Sequence, residues 1–321
     1  MKKKCLYFPL VALLLTACES KETVETESNT PPPAVTDNRP LIEEDSLAVV
    51  SIFSCLKNPQ TKFDPTDRKT WTSVGISFVN VINAYAVTSL FLTVFDTGEG
   101  TISPEIGKLF YLQNLTIQGE GIKGKLPEEI KQNLWLNTLV VRNTSIEGNI
   151  PEKYFSMPNL KTIEIYGNKN MTGKLPSALS QASNKRIDLS NNNFTGTAPI
   201  AEGVHSSVNI SNNQLTEIPE SYFTAASTGG GVNATGNKIT GTISKEILNN
   251  PVYMLRLIQC TASQQNGFGY NNFPEGYHKF DPEYLRGNIY PVSERYRMMI
   301  KNLTKQDSLS LQEFKKFYSK K

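Results

Sequence analysis

Short aliphatic segments recur through the middle of the chain at nearly constant spacing. Leu115 and Ile117 flank one polar residue, and this pattern restarts five more times, at steps of 24, 24, 24, 21 and 24 residues. Alternation places both aliphatic side chains on one face of a short strand. One such strand cannot bury that face alone, so the pattern predicts stacked units that share a parallel sheet and a continuous core. The paired positions are Leu115/Ile117, Leu139/Val141, Ile163/Ile165, Ile187/Leu189, Val208/Ile210 and Val232/Ala234.

Three further columns recur within each unit. An asparagine column is suited to satisfy backbone groups where the chain leaves the strand, since its amide both donates and accepts hydrogen bonds. A glycine column permits backbone angles that other residues avoid, and a proline column favours an extended path. The asparagine column consists of Glu120, Thr144, Asn168, Asn192, Asn213 and Asn237, with asparagine in the last four units. The glycine column consists of Gly124, Gly148, Gly173, Gly196, Glu217 and Gly241. The proline column consists of Pro127, Pro151, Pro176, Pro199, Pro219 and Ser244.

These units resemble leucine-rich repeats, and their Gly-x-Leu/Ile-Pro endings resemble the plant-type class, which also occurs in bacterial surface proteins. The resemblance covers about 115–250. It implies an α/β repeat solenoid with short parallel strands on a concave side, an irregular, polyproline-like convex side, and helical caps at both ends. Weaker units extend the predicted solenoid to 88–260, between an N-terminal cap at 45–87 and a C-terminal cap at 261–321.

The N-terminus has the pattern of an export signal. Three lysines precede an uncharged run over 6–17, which is too short to span a bilayer. Leu15-Thr16-Ala17-Cys18 resembles the bacterial lipobox, which implies a signal peptide at 1–17, lipid on Cys18 and a disordered acidic leash over 18–44. The alternative is an ordinary secretory signal whose cysteine is incidental.

Acidic residues close behind Cys18 resemble the export signal of Bacteroidetes surface lipoproteins. The expectation is therefore an outer-membrane lipoprotein, with display on the cell surface favoured over retention in the periplasm.

Charge and composition exclude several classes of function. A formal charge of +3 argues against a dedicated nucleic-acid binder. Two histidines are too few for a multi-histidine metal site, and nothing in the chain implies a metal or another cofactor. The glycines of 119–124 match the G-x-G-x-x-G fingerprint, but Leu126-Pro127 follows where a helix would have to begin, so no nucleotide site is expected.

The predicted binding surface consists of the solvent-facing strand positions. In the central units these carry charged and aromatic side chains of types enriched at protein interfaces. An exposed sheet also needs charges for solubility, and this interpretation stays open. The candidate residues are Arg142, Glu164, Tyr166, Arg186, Asp188 and Asn209.

Three functions are compatible with this pattern. The first is a lipid-anchored, non-enzymatic recognition module that binds a protein or glycan at the bacterial cell surface. The second is an accessory subunit or enzyme of a surface degradative system, with a site in the Tyr- and Phe-rich segment 261–300. The third is a structural envelope protein without a discrete ligand.

Overall fold

The computed structural model describes residues 40–257 of the chain, with gaps at 58, 60–61, 95–96, 183, 201–206, 225–230, 241, 243, 250–252 and 254–256. The predicted signal peptide (1–17), Cys18, most of the leash (18–44) and the C-terminal cap (261–321) lie outside these residues. No helix in the described part is both long and apolar enough to cross a bilayer.

Strands dominate the described residues, and most helices are single 3-10 turns. The strands are β1 (Leu56–Lys57), β2 (Val74–Val79), β3 (Ala84–Thr93), β4 (Glu99–Thr101), β5 (Asn114–Gly124), β6 (Thr138–Ile146), β7 (Thr162–Tyr166), β8 (Thr172–Lys174), β9 (Arg186–Asp188), β10 (Asn193–Thr197), β11 (Ser207–Asn209), β12 (Gln214–Glu217) and β13 (Val232–Asn233). The α-helices are α1 (Glu43–Ser54), α2 (Glu220–Thr224) and α3 (Lys245–Asn249). The 3-10 helices are Arg68–Thr70, Asn80–Ile82, Pro104–Lys108, Glu128–Gln132, Glu152–Ser156 and Ser177–Gln181.

Seven strands form the long parallel part of the main sheet, in the order β3-β5-β6-β7-β9-β11-β13. Their register follows the sequence repeat, because Leu115 pairs with Leu139, which pairs with Ile163. These side chains are fully buried. The aliphatic pairs therefore form the continuous spine that the spacing predicts.

The opposite side is more regular than the expected polyproline-like path. Pro127 and Pro151 have extended angles, with φ and ψ of −68° and 130° and of −58° and 129°. Each is the N-cap residue of a 3-10 helix, and its extended angles are those usual for an N-cap residue, which lies outside the helical conformation. A second parallel sheet, in the order β12-β10-β8, lies between the asparagine and proline columns. The convex side thus combines short helices with a small sheet.

Buried asparagines connect successive units. The Asn192 Nδ2 donates to the carbonyl oxygens of Ile165 and Leu189, at 2.7 and 2.8 Å, and its Oδ1 accepts the backbone N–H of Asn168 at 2.8 Å. One side chain thus satisfies backbone groups of its own unit and of the preceding one. Asn168, Asn213 and Asn237 make the corresponding contacts.

The N-terminal end of the sheet is covered by the amphipathic helix α1. Its buried side chains include Val49, Ile52 and Phe53. β2 pairs antiparallel with β3 and forms a hairpin next to the first repeat strand. Asp45, only 2% exposed, accepts the backbone N–H of Val87 at 2.7 Å and so links α1 to β3.

We expect Asn192→Ala to lower the free energy of unfolding by about 3 kcal/mol or more, because three buried backbone groups lose their partner at roughly 1–3 kcal/mol each. Urea unfolding followed by circular dichroism measures the change. Asn170→Ala is the matched control, since the Asn170 side chain is exposed and makes a single long contact of 3.4 Å. Equal losses for the two variants would contradict the role assigned to the buried amide.

A substitution at Gly148 tests whether the glycine column is required for its backbone conformation. Its φ is +82°, and a Cβ there would meet nothing closer than 3.8 Å, so the cost of alanine comes from the backbone alone. We expect Gly148→Ala to cost about 1–2 kcal/mol in thermal unfolding. Gly231→Ala serves as control because its φ is not in the left-handed region and its surroundings are open, and it should change stability by less than about 0.5 kcal/mol.

The buried carboxyl group of Asp45 should make the stability of the protein depend on pH. Burial, opposed in part by the Val87 N–H and assisted by the charge of Glu44, raises the pKa of Asp45 from 3.8 to about 6. Between these two values the folded chain therefore holds a proton on Asp45 that the unfolded chain releases. Protonation of Asp45 stabilises the folded chain, and this stabilisation is fully present below pH 3.8 and is lost as the pH rises through about 6. Asp45→Asn keeps an oxygen acceptor but cannot ionise.

The unfolding free energy of Asp45→Asn minus that of the unmodified protein should rise between pH 3.5 and pH 7, because only the unmodified protein loses stability when Asp45 ionises. Its upper limit is roughly 3 kcal/mol, at 1.36 kcal/mol per pH unit. Urea titrations at a series of pH values measure it, and a difference that does not vary with pH would refute the assignment.

Candidate functional site

The exposed face of the long sheet, here called the strand face, is built by the residues that alternate with the buried spine. Because the strands are in register, equivalent positions form ranks that cross the sheet, with about 4.8 Å between neighbours. The first rank contains Ser89, Asn114, Thr138, Thr162, Arg186 and Ser207; the second Phe91, Thr116, Val140, Glu164, Asp188, Asn209 and Asn233; the third Thr93, Gln118, Arg142 and Tyr166.

Arg142 is the centre of the third rank. Its Nε donates to the Gln118 Oε1 at 2.8 Å, and one terminal nitrogen donates to the Tyr166 hydroxyl at 3.3 Å. Both partners are neutral. No carboxylate among the described residues lies within ion-pair distance of this guanidinium. The strand face therefore holds an oriented, half-buried positive charge without a counter-charge in the described part.

Arg186 and Glu164 form a separate ion pair, with 3.2 Å between the arginine terminal nitrogen and the glutamate Oε1. The Arg186 side chain is 72% exposed, so solvent screens this contact and it adds little to stability. Its charges remain within reach of a partner.

The Asp188 and Asn209 side chains accept backbone hydrogen bonds where strands β9 and β11 end. The Asp188 Oδ1 accepts the backbone N–H and the hydroxyl of Ser190, at 2.9 and 2.6 Å, and its Oδ2 accepts from the Asn209 side chain at 3.1 Å. Asn209 repeats the pattern with the N–H and hydroxyl of Ser211. Much of their hydrogen-bonding capacity is therefore used within the fold.

The structure thus places all six predicted residues on one face but brings them into three separate contact pairs. Arg142 contacts Tyr166, whereas Arg186 contacts Glu164, and Asp188 contacts Asn209. Their role in binding stays a prediction.

Phe91 is a strand-face residue that was not among the six candidates predicted from the sequence. It pairs with Thr116 in the second rank, and 46% of its surface is exposed. Thr116 separates it from Val140 in this rank, so apolar and polar side chains alternate at the N-terminal end of the strand face. The signal was present in the alternation Leu90-Phe91-Leu92, which copies that of Leu115 to Ile117.

The glycines of the G-x-G-x-x-G match lie in β5, and a 3-10 helix begins only after Pro127. A Cβ on Gly119 would lie 1.7 Å from the carbonyl oxygen of Val94, and one on Gly121 would lie 2.0 Å from that of Gly98. Close packing against the preceding segment therefore explains both glycines. In the part of the chain with described side chains, no three His, Cys, Asp or Glu residues form a potential metal site.

No protein-family model matches this chain, and no curated protein matches it. Solved structures do match. The structure of PEPR1-AtPEP1 has 22% identity and a TM-score of 0.52, and the match covers 70% of this chain and 31% of that one.

Two further structures show weaker similarity. The leucine-rich repeat ectodomain of GASSHO1/SCHENGEN3 from Arabidopsis thaliana, in complex with CASPARIAN STRIP INTEGRITY FACTOR 2, has 19% identity and a TM-score of 0.47, over 70% of this chain and 30% of that one. A plant ice-binding protein has 21% identity and a TM-score of 0.44, over 74% of this chain and 91% of that one.

The similarity to the PEPR1 structure concerns the fold, and it confirms the predicted α/β repeat solenoid of leucine-rich repeats with a parallel sheet. This chain spans about a third of the length of that relative.

Proposed function

We propose that this chain is a non-enzymatic recognition module that binds a protein partner through its strand face. The observation that carries the proposal is Arg142, a cation oriented by the neutral side chains of Gln118 and Tyr166. Two fixed hydrogen bonds lower the side-chain entropy that a partner would otherwise have to remove on binding. An arginine fork held in this way is suited to a carboxylate.

The surroundings of Arg142 favour a protein partner with mixed chemistry. Tyr166 lies beside it, Val140 lies on the same strand, Phe91 lies two strands away, and the exposed ion pair of Arg186 with Glu164 lies on the next two strands in the other direction. Aromatic residues and arginine are enriched among the residues that dominate binding energy. Seven strands at about 4.8 Å extend over roughly 29 Å, which is compatible with a standard protein interface.

The fold of the PEPR1-AtPEP1 structure is a second support, since it presents the same kind of parallel sheet. Fold alone does not specify a ligand. The proposal therefore depends on the side chains of this strand face, and the commitment is to a partner that offers a carboxylate to Arg142.

We further propose that the module is exported as a bacterial lipoprotein, anchored through Cys18 in the outer membrane and displayed on the cell surface. The support is the sequence Leu15-Thr16-Ala17-Cys18 and the acidic composition that follows it. The competing enzymatic site in 261–300 lies outside the described residues. No described feature favours that site or a purely structural envelope role.

The test compares two variants of the full chain, purified in a detergent without a sugar headgroup and immobilised on beads. The first variant carries Arg142→Ala, Tyr166→Ala and Arg186→Ala. The control carries Lys131→Ala, Lys153→Ala and Gln181→Ala, which also removes two positive charges but lies on the 3-10 helices away from the strand face. Proteins captured from a bacterial envelope extract are quantified by mass spectrometry.

We expect the strand-face variant to lose at least tenfold of the recovered partner while the control retains it. Recovery should also fall between 50 and 300 mM salt, because salt screens a charge-assisted contact. Melting temperatures of both variants establish that they are folded. Equal recovery by the strand-face variant and the unmodified chain would refute the proposal.

A further inference from the structure

A group of exposed aromatic and aliphatic side chains lies away from the strand face, on the turns that lead from the 3-10 helices into β5 and β6. Phe110 and Tyr111 precede β5, and Leu134 and Trp135 occupy the equivalent positions one repeat later. We call these four residues the aromatic edge. Phe110, Leu134 and Trp135 are 41%, 48% and 51% exposed.

The rings of the aromatic edge are arranged by the repeat itself. Tyr111 and Trp135 are nearly parallel, with 6.4 Å between ring centroids and 28° between ring planes, and Phe110 meets Tyr111 edge-on at 5.0 Å. The turns beneath them are closed by backbone hydrogen bonds, such as that from the Leu134 N–H to the Gln132 carbonyl at 2.9 Å. The rings therefore form an ordered platform.

The spine does not require these aromatic residues. The next unit has the polar Asn159 at the position of Tyr111 and Trp135, and it still forms a buried, in-register strand. An exposed tryptophan stacked on a tyrosine of the preceding unit is thus a local feature of the first repeats. Exposed apolar clusters of this kind mark interaction sites.

Polar amides surround the platform. The Asn159 Nδ2 donates to the Leu134 carbonyl at 2.8 Å, while its Oδ1 has no hydrogen-bond partner among the described residues. Asn137 lies close enough to donate to the Asn159 carbonyl at 3.4 Å. Lys108 and Lys131, on the adjoining helices, are paired with Glu105 and Glu128. The aromatic edge therefore combines an apolar surface with neutral hydrogen-bonding groups.

We propose that the aromatic edge binds a neutral glycan of equatorially substituted pyranose rings, such as a β-linked glucan. Such a ring presents a flat face of C–H groups, whose slight positive charge suits the negative face of an aromatic ring. Its rim of hydroxyl groups matches the donors and acceptors of Asn137 and Asn159. Since Lys108 and Lys131 are ion-paired with Glu105 and Glu128, the adjoining helices do not form the cluster of unpaired basic residues that an anionic membrane surface would select.

The size of the aromatic edge argues against a second copy of the chain as the occupant. A stable protein interface takes about 20–30 residues from each side, whereas three exposed side chains, the half-buried Tyr111 and two amides cover an area closer to one or two sugar rings. This site is separate from the strand face, because Trp135 precedes β6 whereas Arg142 lies in the middle of that strand, seven residues further along the chain.

The test uses the full chain in a detergent without a sugar headgroup, titrated with cellohexaose and laminarihexaose as probes. The two tryptophans of the chain make fluorescence informative, since Trp71 is buried and its indole N–H donates to the Asp64 carbonyl. The difference between the spectra of the unmodified chain and Trp135→Ala isolates the emission of Trp135. Calorimetry gives the affinity.

We expect at least one probe to shift the Trp135 emission to the blue and to bind with a dissociation constant below roughly 1 mM. Trp135→Ala should weaken binding at least tenfold. Leu47→Ala, which removes a 64% exposed aliphatic side chain from α1, should leave binding unchanged. The triple variant of Arg142, Tyr166 and Arg186 should also bind sugar normally, so that failure of one site is distinguishable from failure of the other.

Three results would overturn the proposal. The first is the absence of binding at 10 mM of either probe, and the second is binding that Trp135→Ala does not weaken. The third is Trp135 emission that is already blue-shifted in the free chain and insensitive to sugar, which would indicate that another segment or a second copy covers the edge.

Discussion

The fold depends on hydrogen bonds between buried asparagine side chains and the backbone where each unit turns away from the long sheet. At this turn, carbonyl and N–H groups leave the sheet and would lie buried without partners. Asn192 satisfies two carbonyls and one N–H, and Asn168 and Asn213 repeat the arrangement. The cost of leaving such groups unpaired is comparable with a large part of a protein's net stability.

Thr144 shows how far this requirement can be relaxed. Its hydroxyl accepts the Ile146 N–H and donates to the Asn168 Oδ1, so the neighbouring asparagine completes the network. In the first unit Glu120 replaces the asparagine. Its side chain is exposed, and β5 continues past it to Gly124. The turn at the N-terminal edge is therefore supported by β4, which pairs with β5.

Because the asparagines hold each unit in the same orientation, side chains 24 residues apart become neighbours. This places Arg142 against Tyr166, and Tyr111 against Trp135, on two separate surfaces. The two surfaces differ in chemistry: the strand face carries an oriented cation and ion-paired charges, whereas the aromatic edge is neutral. The protein site and the glycan site that we propose are therefore separate surfaces of the described residues.

The period, the aliphatic spine and the asparagine and glycine columns were determined by the sequence itself, because each obeys a strict spacing that only one backbone geometry satisfies. The pairing of charges was decided by the tertiary structure: Arg186 pairs with Glu164, Arg142 has only neutral partners among the described residues, and Asp188 caps its own strand. The contact of Asp45 with Val87 joins residues 42 positions apart, outside any repeat. Periodicity determines on which face a side chain lies, but its partners depend on rotamers and on the stacking of neighbouring units, which no single segment encodes.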